Sequence, residues 1–218
     1  MCIRDRIWLT YVAAATEKIS LGTGVMIMPL RNRLVTAKAV ATLDRLSEGR
    51  VILGVGSGWL EEEFQALGIS FDDRGARTDE YLQAMQLAWA SDIASYKGKF
   101  VDFSNVYSRP QPVNNHVPIV VGGHSKRAAR RAGELGDGFF PGRGHPDELS
   151  ALFDHARRCA ERAGRDPNEL EFTAGGPTTP EYVEQMAKIG VTRIVVPPMN
   201  PEHFPAFGEE VIAQYAGL

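Results

Sequence analysis

Residues 50–59 read RVILGVGSGW. Val51 to Val55 form a short continuous apolar run, and the chain passes directly into Gly54, Gly56 and Gly58. The acidic Glu61-Glu62-Glu63 that follows suits the first turn of a helix. A buried strand leading into a helix is the repeating unit of a parallel sheet covered on both faces. Glycines at the end of such a strand admit something close to the backbone: a dinucleotide, a phosphate, a flat ring or a neighbouring helix. The spacing G-x-G-x-G puts Trp59 where the dinucleotide fingerprint needs a third glycine, and the P-loop lysine is missing. That removes the Rossmann and P-loop readings and leaves the others open.

The same unit recurs on both sides. Upstream, Ile19 to Met28 is a β-rich run ended by Pro29, and Val35 to Leu46 has helical spacing stopped by Ser47-Glu48-Gly49. Downstream, a helical segment reaches Phe64 and a longer helix covers Arg74 to Ala90. The pairs that follow are Pro118–Val121 with Lys126–Leu135, Gly138–Phe140 with Glu148–Ala163, and Leu170–Ala174 with Glu181–Ile189. Thr192–Val196 and a final helix, Pro205 to Tyr215, close the series. An insertion, Ala94 to Val113, carries Tyr96, Phe100, Phe103 and Tyr107 and reads as an extended or hairpin segment over one end of the sheet. These are six strand–helix units, preceded by a helix from Ile7 to Lys18. Six units form either an open doubly wound sheet or part of a closed (β/α)8 TIM-barrel, which needs eight. The opening helix without a strand before it favours the second, with two N-terminal units lacking. On this reading residues 7–218 form a single incomplete barrel domain, and residues 1–6, MCIRDR, are a non-native leader.

Bulk properties exclude several function classes. The chain of 218 residues is 44% hydrophobic and 23% charged, as in ordinary soluble domains. A net charge of -3 gives no electrostatic case for nucleic acid or an anionic membrane. Two cysteines, Cys2 and Cys159, make no disulfide framework, and no CxxC pair suggests a metal site. A reduced, cytoplasmic setting is expected. No apolar run is long enough for a membrane span, and the N-terminus lacks a signal-peptide core.

A second glycine turn sits in Pro118–Arg127, PIVVGGHSKR. Gly122-Gly123 end a strand, and His124 and Ser125 open a helix. Free N–H groups at a helix start, the Ser125 hydroxyl and nearby Lys126 or Arg127 suit a phosphate; the alternative is a plain serine cap beside solvated bases. Gly175-Gly176-Pro177-Thr178-Thr179 is a rival phosphate turn, equally explained as a capped helix start. All three turns fall at the carboxyl ends of parallel strands, where α/β proteins build their sites.

The blocks LGTGVMIMPLRNRLVTAKAVATLDRLSEGRVILGVGSGWLEEEF, DDRGARTDEYL and PIVVGGHSKRAARRAGELGDGFFP closely resemble the bacterial luciferase-like superfamily. Within it, the best match is the branch of oxidoreductases using the 8-hydroxy-5-deazaflavin coenzyme F-420; members using flavin mononucleotide (FMN) share much of the frame. The resemblance implies a (β/α)8 barrel. It implies a non-proline cis peptide at Gly24-Val25 behind the cofactor ring, cofactor contacts from Ser57, Gly58 and Trp59, and a phosphate turn at Gly122, Gly123, His124 and Ser125. Where some flavin members carry a threonine, this chain has Ala128. The implied chemistry is hydride transfer to or from a small organic substrate, with an FMN-dependent monooxygenase, a non-catalytic cofactor-binding protein or an inactive fragment as alternatives. Relatives are often homodimers. No catalytic acid or base is assigned. His124 and His145 either serve the site or are loop residues, Cys159 reads as structural, and the insertion's aromatics either wall a pocket or pack the insertion itself.

Overall fold

The computed structural model describes residues 5–215. Helix α1 (Asp5–Ala15) precedes two short strands, β1 (Leu21–Gly22) and β2 (Met26–Ile27), and a 3-10 turn at Met28–Leu30. Then follow α2 (Arg33–Leu46), β3 (Val51–Gly56), α3 (Glu61–Ala66) and α4 (Arg74–Ala90). The insertion is a hairpin of β4 (Ala94–Lys97) and β5 (Asp102–Val106). The rhythm resumes with β6 (Ile119–Gly122), α5 (Lys126–Leu135), β7 (Gly138–Phe140) and α6 (Pro146–Arg162). It continues through β8 (Glu171–Gly175), α7 (Pro180–Lys188) and β9 (Val191–Val195). The last helix is less regular than its pattern suggests: a 3-10 turn at Pro201–His203, α8 (Phe204–Phe207), a π segment at Gly208–Ile212 and α9 (Ala213–Tyr215). Of the expected leader, residues 1–4 lie outside the described residues, and Asp5 and Arg6 open α1.

The main sheet is parallel throughout, with β1 and β2 both on β3, then β6, β7, β8 and β9 in order. Val55 pairs with Val121, Val121 with Phe139, Phe139 with Phe172 and Phe172 with Val191, so this level of the sheet carries a buried apolar residue on each of β3, β6, β7, β8 and β9. This register puts all carboxyl ends on one side, with a helix on each crossover. The expected single strand over Ile19–Met28 is corrected: the chain leaves the ladder between Gly22 and Met26. There the Thr23 hydroxyl donates to the Gly54 carbonyl oxygen at 2.7 Å and holds the detour against β3.

Local chemistry explains the helices. Asn32 caps α2 by accepting from the Leu34 and Val35 amides. Helix α5 turns a face of Ala128, Ala129, Ala132 and Gly133 inward. A Cβ on Gly133 would lie 2.3 Å from the Ala156 carbonyl oxygen, so glycine there sets how closely α5 packs on α6. Beneath α6, Phe153 lies edge-on to Phe139 and 4.4 Å from the Phe172 centroid. Each such fully buried ring contributes about 2–3 kcal/mol. Trp89, also fully buried, donates its indole N–H to the Ala37 carbonyl and joins α4 to α2.

The hairpin packs against this core, with Val101 buried in it. Both Glu80 carboxylate oxygens accept backbone N–H groups, from Lys99 and Phe100. Tyr96 stacks on Phe103 and donates to Gln83, while Arg77 lies over Phe100. These aromatics fasten the insertion to α4. Among the described residues, no helix is long and apolar enough to cross a membrane, and no group of three or more His, Cys, Asp or Glu could hold a metal.

Candidate functional site

At the carboxyl ends of β2, β3 and β6 lies a cleft of about 990 Å³, flanked by the first turns of α4 and α5. Its floor answers the question posed by the glycines. A Cβ on Gly54 would sit 1.9 Å from the Thr23 carbonyl oxygen. On Gly56 or Gly122 it would meet a Val25 methyl at 2.9 Å. The glycines of β3 and β6 therefore make room for the chain's own detour, with Val25 laid across both strands. The occupant beside these glycines is thus a neighbouring piece of the chain itself, and the Val25 side chain forms the floor of the cleft. The Gly24-Val25 peptide is cis, as the sequence likeness implies.

One wall is the turn from β3 to α3. Gly58 has φ +86°, a conformation that favours glycine, and an added Cβ would lie 2.8 Å from the Phe64 ring. Phe64 meets Phe71 edge-on, and the Arg74 guanidinium lies 3.7 Å from the Phe71 centroid. Arg74 then donates to the Gly58 carbonyl at 3.2 Å and to the Phe71 carbonyl at 2.9 Å. This closed circuit of contacts fixes Ser57 and Trp59 at the rim, where Trp59 is 80% exposed.

The opposite wall is the start of α5. Ser125 Oγ caps the helix by accepting from the Ala128 N–H at 3.2 Å. The Gly123 N–H is spent on the Phe140 carbonyl and that of Ser125 on the Gly123 carbonyl. The amides of Lys126 and Arg127, in the first turn, have no intrahelical acceptor. Their side chains are exposed and lack an acidic partner among the described residues. Further along, Asp79 of α4 receives both Arg130 and Arg131, and Arg131 also donates to the Gly75 carbonyl at 2.8 Å. Burial works against the Arg130 charge, but Asp79 and Glu134 outweigh it and raise its pKa. The lining holds five cations, Arg74, Lys126, Arg127, Arg130 and Arg131, against Asp72 and Asp79, a field that favours an anion.

Seven of the nine residues singled out from sequence line this cleft: Val25, Ser57, Gly58, Trp59, Gly122, Gly123 and Ser125. Gly24 is exposed beside it, and His124 turns to the Pro141 carbonyl, 3.2 Å from Nδ1. His145 caps α6 through Nδ1, which accepts the Asp147 N–H. Cys159 is buried in α6 with its sulfur 3.7 Å from His155. In the rival turn at 175–179, the Tyr182 ring takes the space beside Gly176. Sequence reading gave no role to Arg74, Asp79, Arg130 and Arg131. The available signal was the block DDRGARTDEYL, whose charges match those of the facing α5.

A family model described as luciferase-like monooxygenase matches residues 6–197. An uncharacterized protein of Mycobacterium tuberculosis is 32% identical over 186 residues, covering 85% of this chain and 64% of that protein. The chain thus spans less than two thirds of this relative's length. The FMNH2-dependent dimethylsulfone monooxygenase of Pseudomonas putida is 29% identical over 202 residues, covering 91% of this chain and 54% of that protein. Among solved structures, the coenzyme F-420-dependent tetrahydromethanopterin reductase of Methanopyrus kandleri superposes with TM-score 0.83 at 19% identity, over 98% of this chain and 88% of that one. An F-420-dependent secondary alcohol dehydrogenase gives TM-score 0.86 at 19% identity, over 98% and 84%. The parallel sheet is accordingly a curled part of a luciferase-like TIM-barrel, with six strand–helix units.

Proposed function

Because the chain belongs to the luciferase-like monooxygenase family, we propose that it is an oxidoreductase that binds coenzyme F-420 in the cleft beside Val25 and acts on a small organic substrate. The observation that carries this reading is the pairing of two features in one hollow. An apolar floor of Val25 and Ile27 lies at its base, and a helix start with unmatched N–H groups and exposed bases lies at its side.

The residues present fit such a cofactor. The hollow is large enough for a tricyclic ring with a phosphorylated tail. Val25 supports the ring from below, and the turn at Ser57–Trp59, held by Arg74, bounds its edge. Gly123, at φ +132°, keeps the backbone bare where the phosphate approaches the first turn of α5. Lys126 and Arg127 add positive charge at that point. When bound, the coenzyme supplies hydride chemistry at C5 of its ring. The chain's own residues bind, orient and shield.

The solved relatives whose names carry F-420 support this choice of cofactor, whereas the Pseudomonas relative, named for FMNH2, supports an FMN-dependent monooxygenase as the second reading. Fluorescence titration separates them. F-420 fluorescence is expected to quench saturably, with tighter binding than FMN under the same conditions. Equal or tighter binding of FMN moves the assignment to the monooxygenase.

A further inference from the structure

A second hollow, of about 300 Å³, lies on the same rim over the ends of β7, β8 and β9. Among the described residues lining it, Arg143 alone carries charge. We propose that this hollow binds a carboxylate or phosphate group through the Arg143 guanidinium.

The hollow is built around that side chain. The loop after β7 is pinned to the end of β8 by the Gly175 N–H, which donates to the Gly142 carbonyl at 3.0 Å. A Cβ on Gly175 would stand 3.2 Å from Arg143 Cγ, so the bare strand end gives the arginine stem its bed. Gly176 is bare for a different reason: a Cβ there would lie 2.3 Å from Tyr182 Cζ. Tyr182 in turn donates its hydroxyl proton to the Gly175 carbonyl at 2.8 Å. The carbonyls of Gly142 and Gly175 are thus already engaged, and Pro177 and Pro197 complete apolar walls. What remains unmatched is a guanidinium, exposed and without an acidic partner among the described residues. Arg77, Arg109, Arg130, Arg131, Arg157 and Arg193 each hold a carboxylate, whereas Arg143, like Arg127 in the first cleft, holds none among the described residues. A planar fork in the lining of a hollow whose Gly142 and Gly175 carbonyls are already engaged suits a bidentate oxyanion.

Two sources can supply that group. His124, next to Gly123 of the first cleft, has its Cε1 3.1 Å from where a Cβ on Gly144, in the lining of this hollow, would stand. An acidic tail of a cofactor seated in the cleft is one source, which rests on the function proposed above. A separate small acid does not depend on it.

The test titrates succinate and inorganic phosphate into isotopically labelled protein and follows the amide resonances of Gly144, Gly175 and Gly176. Saturable shifts are expected, with affinity falling roughly tenfold or more in Arg143→Ala and held in Arg158→Ala, which removes an exposed arginine of α6 outside both hollows. Circular dichroism checks that both variants keep their helix content. Absent shifts in the wild type, or unchanged affinity in Arg143→Ala, overturn the proposal. F-420 and its tail-less deazaflavin nucleoside then identify the source. If the tail fills the hollow, F-420 moves these amides and excludes succinate, while the nucleoside does neither; if a separate acid is the ligand, succinate binds with F-420 in place. Loss of F-420 binding alone strikes the cofactor reading and leaves the succinate result standing.

Discussion

The two ends of the β6–β7 pair carry similar residues and treat them differently. At the amino end, the Asp137 carboxylate accepts the Ile119 N–H at 2.7 Å, lies 2.9 Å from His116 Nε2 and stands 3.7 Å from an Arg165 nitrogen. Arg165 gives a further bond to the Gly133 carbonyl, and the Asp137 backbone bonds to Ile119 and Glu171. The polar groups there answer one another. At the carboxyl end, Lys126, Arg127 and Arg143 have no acidic partner among the described residues, and the first-turn amides of α5 face a cleft. Polar groups matched within the chain contribute to stability, whereas unmatched groups at an opening are available to a ligand.

That contrast predicts a separation of stability from binding. The largest effect belongs to Asp137→Ala, which strips an acceptor from the Ile119 amide and a partner from His116. A loss of about 2 kcal/mol is expected in denaturant unfolding, with F-420 affinity unchanged. If affinity falls in step, the two ends are coupled and the contrast breaks. Next comes Ser125. Replacement by alanine removes the cap of α5 and is expected to cost about 1 kcal/mol along with some F-420 affinity. Ser125→Asp sharpens the comparison, because aspartate keeps the cap but sets a negative charge beside the phosphate position. Stability is expected to survive in that variant while binding collapses; intact binding removes the phosphate from this turn.

The smallest effect is a pH dependence. The hydrogen bond to Asp137 raises the His116 pKa above its ordinary 6.5, outweighing burial and the Arg165 charge. A group whose folded pKa is raised stabilises fully below its unfolded value and loses that contribution as pH climbs through the raised one. Melting temperature in the wild type is therefore expected to decline from pH 6.5 upward through that value, and the decline flattens in His116→Gln. An identical slope in the variant assigns the dependence to another group.

Much of this architecture is legible along the chain because its causes are local. The limits of α4, α5 and β7 follow from caps, apolar spacing and glycines within a few residues of each boundary. The meeting of Ser57–Trp59 with Gly122–Ser125 is legible too, since parallel register brings the carboxyl ends of adjacent strands together. What the linear pattern hides depends on distant contacts. The break between β1 and β2 needs the bare Gly54, and the purpose of Gly56 and Gly122 needs Val25 lying across both. His124 turns away because a β7-loop carbonyl is within its reach, and Asp79 becomes part of the wall only once α4 and α5 pack side by side.

The placement of Val25 has a consequence for how this site can vary. Two neighbouring strands are bare beneath one side chain, so the depth of the hollow depends on the size of the residue at position 25 rather than on the course of the sheet. Alanine there removes the two methyl groups that lie side by side across the strands and deepens the seat by one methyl layer, and isoleucine makes it shallower. A scaffold of this kind can accommodate cofactors of different thickness or tilt by changing a single replaceable shim, with its frame intact.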